Sequence, residues 1–129
     1  MARKIEITVN NVLYTGDTAP ARDQLEILNI ISQNSLLPLM DKKVGDMTIA
    51  ATLSTLNMGA TQRLTELAIG KGGIIRSTDT VPVAENMFQD EIHLFLVLLG
   101  RVVEENIGPF WQLKPEEKGG GNQKTANQR

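Results

Sequence analysis

The chain contains no cysteine, which excludes disulfides, thiolate nucleophiles and thiolate-held metals and leaves the redox compartment undetermined. Aromatic residues are scarce: one tryptophan, one tyrosine and three phenylalanines. The core must therefore be mostly aliphatic, with five methionines available as adaptable filling. No sign of charge dominates. Thirteen basic against fifteen acidic residues give a formal charge of −2, which offers no support for binding phosphate backbones, so nucleic acid is not an expected partner. Long apolar runs are missing as well. The longest, Leu94–Leu99, has six residues, far below the roughly 20 of a membrane span. The N-terminal Lys4–Val9 alternates polar and apolar residues where a secretory signal needs continuous apolarity, and cytoplasmic residence is the default expectation.

What is present suffices for one core. With 129 residues, 41% of them apolar, the chain reads as a single globular α-rich domain over 1–113, followed by a disordered tail over 114–129. The tail holds one small apolar residue, Ala126, and Gly119-Gly120-Gly121 at its centre, too little apolar surface to offset the entropy of ordering it.

Arg3 to Thr15 reads as a β-ribbon. Ile5, Ile7 and Val9 share one strand face, Asn10-Asn11 supply the positive φ of a tight turn, and Val12-Leu13-Tyr14 make the return. A two-stranded ribbon is marginal in water and must pack on the rest. Pro20 suits a first helical turn, after which Leu25, Leu28 and Ile31 mark a helical stripe widened by Ile27 and Ile30. Asn34 and Pro38 end that helix. A second helix is expected from an Asp41 cap, with Val44, Met47, Ala51, Leu53 and Leu56 on its buried side and a break at Gly59. Thr61–Ile69 resumes the pattern through Leu64 and Leu67. Ile74–Arg76 forms an extended piece able to pair with the ribbon, and Val81-Pro82-Val83 is either extended or the first turn of the last helix. That helix, from about Glu85 to Asn106, is the longest, and its apolar stripe implies burial on two sides or a partner. The expected fold is α+β, mainly α: a small N-terminal hairpin packed on a bundle of about four helices.

Several segments carry chemistry-like signals with simpler explanations. Gly70-Lys71-Gly72-Gly73 lacks the preceding strand and the following Ser or Thr of a phosphate loop and reads as a helix stop. His93 has Asp90 and Glu91 nearby but no nucleophile and no second imidazole, so it reads as a core-rim residue rather than a base or ligand. Asp79, Glu85, Asp90, Glu91, Glu104 and Glu105 face only Arg101 and form a solvated face or an acidic docking surface. No cofactor, metal or catalytic residue is expected, and the chain is not expected to be an enzyme. For partner binding the candidates are Phe95, Leu99 and Val103 on the last helix with Phe110 and Trp111 beyond it.

Asp23-Gln24-Leu25 and Asn34-Ser35-Leu36-Leu37-Pro38-Leu39, fed by the ribbon Ile5 to Tyr14, resemble tail assembly chaperones of lambdoid long-tailed bacteriophages (siphoviruses). The likeness is strong over residues 4 to 40 and only one of pattern beyond them. It implies a non-enzymatic protein of the host cytoplasm, absent from the mature virion, that binds the tape measure protein and helps tail tube assembly. It also implies a longer −1 frameshift product whose extra domain recruits the tail tube protein. Gly121-Asn122 are compatible with a slippery heptamer, and the tail would serve as the tether of the fused domain. Self-association is left open. The alternative reading is a virion structural protein, such as a head–tail connector or tail completion subunit.

Overall fold

The computed structural model describes residues 2–40 and 43–108. The architecture is α+β, with a small antiparallel sheet on a layer of helices. Strand β1 (Lys4–Val9) pairs with β2 (Val12–Asp17), joined by the two-residue turn Asn10-Asn11. Both turn residues have positive φ, 52° and 67°, the combination that matches hairpin twist and that asparagine tolerates better than other side chains. Tyr14 and Thr15 pair with Arg76 and Ile75 in β3 (Ile75–Arg76), and β3 pairs with β4 (Val81–Pro82), so the strand order is β1-β2-β3-β4. The extended reading of Ile74–Arg76 and its pairing with the ribbon hold, and Val81-Pro82 is strand rather than helix.

Helix α1 (Ala21–Gln33) begins one residue after Pro20 and ends at Asn34, with Ser35 at φ 61°. Its buried residues are Ile27 and Ile31, and Leu25 is 57% exposed. Two residues advance a helix by roughly 200°, so burying Ile27 turns Leu25 outward, and the stripe is rotated from the one expected. Helix α2 (Asp46–Leu53) starts from Gly45 and buries Ile49, Ala50, Thr52 and Leu53, while Met47 is 84% exposed and Ala51 is exposed. Apolar residues surround this short helix, so their spacing selects no face, and close packing on the last helix decides it. The expected cap Asp41 lies outside the described residues. Asn57, not Gly59, sets the next boundary: its side chain accepts a hydrogen bond from Ala60 N–H at 2.8 Å and starts α3 (Met58–Leu64).

A π-helical turn, Thr65–Gly70, continues α3 and buries Leu67, Ala68 and Ile69 in succession. Lys71 N–H closes it onto Glu66 C=O at 2.9 Å. The glycine-rich segment is then a stop and a close approach. Gly73 has φ 60°, and Gly72 C=O accepts Asp17 N–H at 2.9 Å where a β-carbon on Gly72 would lie 2.5 Å from Asp17 O.

Helix α4 (Ile92–Ile107) begins later than expected. Glu85–Phe88 is a 3₁₀ turn, and Asp90 at φ 68° separates it from α4. Phe95, Leu98, Leu99, Val102 and Val103 are at most 1% exposed. The excess apolarity of this helix is therefore met inside the chain: α4 is the central helix, with β1, α1, α2 and the π turn packed around it. Tyr14, Phe88 and Phe95 form a ring series with centroids 6.1 and 5.6 Å apart, tying α4 to the sheet. Burial pushes the Tyr14 hydroxyl pKa upward, against the lowering effect of Arg76 and with a contribution from Glu91.

Candidate functional site

Three segments far apart in sequence meet at one open, mainly apolar groove of about 440 Å³. Val9 and Asn10 supply one wall, Asp46, Met47 and Ala50 of α2 a second, and His93, Leu94 and Val97 of α4 the third. Each wall has a local cause. The tight asparagine turn ends β1 at Val9. Gly45 starts α2 so that Asp46 and Met47 lie in its first turn. Asp90, in left-handed conformation, starts α4 so that His93 and Leu94 fall beside the hairpin tip.

Gly100 brings α2 against α4: a β-carbon there would overlap Ile49 Cγ2. Arg101 locks the pair. Its guanidinium donates to Asp46 Oδ1 at 2.6 Å, to Val44 C=O at 2.7 Å and to both Glu104 carboxylate oxygens at 3.0 and 3.1 Å. Burial works to lower the Arg101 pKa, but the hydrogen bonds to Asp46 and Glu104 outweigh it and hold the group above its ordinary value. The groove floor is thus rigid, and its most exposed member, Met47, is a flexible thioether suited to varied apolar surfaces.

Of the residues proposed from sequence, the three that are described lie in the core. Phe95, Leu99 and Val103 are 1%, 0% and 0% exposed; they belong to the core, and an intact fold presents none of them to a partner. Their helical spacing identified a buried stripe but could not show that the burial is internal. Phe110, Trp111, Gly121 and Asn122 lie outside the described residues, as does the tail from 114 onward. His93 is exposed and lines the groove beside apolar side chains. Among the described residues no three His, Asp or Glu side chains gather as a metal site.

The acidic segment does not form one face. Asp79 bonds Arg76 at 2.7 Å, Glu104 is 2% exposed against Arg101, and Glu105 bonds Arg3 at 2.7 Å. Sequence reasoning missed Val9, Met47, Ala50, Leu94 and Val97 as a group because no single element contains them.

Comparison with protein-family models, curated proteins and solved structures finds no match.

Proposed function

We propose that this chain is a phage tail assembly chaperone, which binds the tape measure protein and shields its apolar surface until the tail tube polymerises around it. The likeness over residues 4 to 40 carries this reading: the ribbon, Asp23-Gln24-Leu25, and the Asn34–Leu39 helix end. The groove of Val9, Met47, Ala50, Leu94 and Val97 supports it, being open, apolar and methionine-containing, the surface a chaperone needs for reversible contact with varied apolar side chains. A longer −1 frameshift product, with a second domain tethered after the tail, would bring in tail tube subunits.

Co-expression tests it. The chain should keep an otherwise insoluble tape measure protein in solution, moderate salt should disturb the complex little because the contacts are apolar, and purified virions should lack the chain by mass spectrometry. Failure to co-purify with the tape measure protein overturns the reading. Stoichiometric presence in virions instead supports a connector or completion subunit.

A further inference from the structure

The two edges of the sheet are built differently. β4 has only two residues, one of them Pro82, a blunt edge unsuited to pairing. β1 has six residues, pairs with β2 in unbroken register and contains no proline. The two-residue turn makes Val9 and Val12 a hydrogen-bonded pair, and Thr18 N–H to Arg3 C=O at 2.8 Å keeps the same alternation at the far end. Ile5, Ile7 and Val9 therefore bond β2, while the N–H and C=O groups of Lys4, Glu6 and Thr8 point away from it. Among the described residues nothing pairs with those outward groups.

The helix layer extends past this edge. α4 lies beneath β1, sharing the groove with Val9 at one end and binding Arg3 through Glu105 at the other. α2 lies beyond α4, and the groove takes its sheet wall from β1, with no residue of β2. At the Val9 end of this edge the groove offers a floor for another strand, and among the described residues no strand lies on it. We propose that the β1 edge, with the groove below it, captures an extended segment of a client protein by strand addition, in which apolar side chains alternate with charged ones. The apolar residues descend towards Met47, Ala50, Leu94 and Val97. On the outer face, exposed Lys4 and Glu6 select an acidic and a basic residue two positions apart. A second copy of the chain fits poorly, because neighbouring strands lie about 4.8 Å apart whereas the α4 helices beneath two paired β1 strands need roughly 8–10 Å.

This deepens the chaperone reading and rests on it for the identity of the client. The probe is a capped peptide in which valines alternate with glutamate and lysine, added to the full chain and followed by amide hydrogen exchange. Lys4, Glu6 and Thr8 amides should gain protection. Thr8→Pro removes one outward N–H and leaves the β1–β2 ladder intact, so it should weaken peptide binding by about tenfold while Ile7 and Val9 amides stay protected. Lys4→Glu together with Glu6→Lys should weaken it as well, and a peptide with its charges exchanged should restore it. Unprotected edge amides, or equal binding by Thr8→Pro, overturn the proposal, as does concentration-dependent dimerisation abolished by Thr8→Pro. If the peptide binds as described but the tape measure protein is not kept soluble, the chaperone reading falls and the edge site survives. If Thr8→Pro keeps the tape measure protein as soluble as the unaltered chain does, the edge is not where the client binds and the chaperone reading survives.

Discussion

The two ends of α4 divide the labour of the molecule. Its C-terminal half is fastened by polar groups with named partners: Asn106 accepts Ala19 N–H at 2.8 Å and donates to Val102 C=O at 2.9 Å, Glu105 binds Arg3, and Arg101 grips Glu104, Asp46 and Val44. Its N-terminal end begins at a left-handed aspartate and leaves Ile92 54% exposed and His93 and Leu94 beside an open groove. The fixed end supplies the rigidity that lets the other end present apolar surface without collapsing onto it.

Breaking the fastened end should have the largest effect. Arg101→Met removes one charge facing the buried Glu104 carboxylate and the clamp on α2, and should cost about 3 kcal/mol, the low end for a broken buried pair because Glu104 has a further partner, read as a lowered denaturant midpoint. Gly100→Ala forces a methyl group into Ile49 and should cost about 1–3 kcal/mol; Ile49→Ala in the same background should recover part of it, which a double-mutant cycle measures. At the open end the balance reverses. Met47→Lys should change stability by no more than about 0.5 kcal/mol yet, on the proposed chaperone reading, weaken retention of the tape measure protein in a pull-down, and an unchanged pull-down would remove the groove from the proposed site.

The smallest effect belongs to a surface contact remote from both ends. Arg63 donates to both Glu26 oxygens, at 2.7 and 2.8 Å. That hydrogen bonding holds the Glu26 pKa below the usual carboxylate range, against slight desolvation, and Arg63 is correspondingly raised. A depressed folded-state pKa contributes stability above the unfolded carboxylate value and loses it as pH falls through the folded one. Arg63→Gln should therefore lower stability slightly at neutral pH and leave it unchanged at acid pH, where the carboxylate is protonated and the contribution is already lost; the difference is small because the pair is exposed.

Much of this fold is legible in the residues because local rules coincide there. Asn10-Asn11 between alternating apolar residues specifies the hairpin, and the glycines after Ile69 specify a stop. The face of α2 is not legible. Met47, Ile49, Ala50, Ala51 and Leu53 surround its axis, and only the absent side chain at Gly100, far along the chain, turns Ile49 inward. The start of α4 is hidden similarly, since Gln89-Asp90-Glu91 suits a helix well enough, yet Asp90 is left-handed two residues after Phe88, which sits between Tyr14 and Phe95. The groove is hidden for both reasons. Periodicity puts Met47 in the core and leaves Phe95, Leu99 and Val103 open to a partner, because it marks an apolar stripe without showing what covers it.

The π turn at Thr65–Gly70 makes the union of helix and sheet a matter of counting. Each residue advances an α-helix by about 100°, and the wider closure from Lys71 to Glu66 takes up one residue more than an α turn would. Downstream, Gly72 arrives with its carbonyl facing Asp17 at a spot too tight for any side chain. A substitution within the turn leaves that arrival in phase. A single-residue deletion within the turn would restore an ordinary α turn and leave the glycines facing β2, whereas the same deletion in the regular helix α3 would swing them by about 100°, so the π turn should be the place in this helix where loss of one residue is best tolerated.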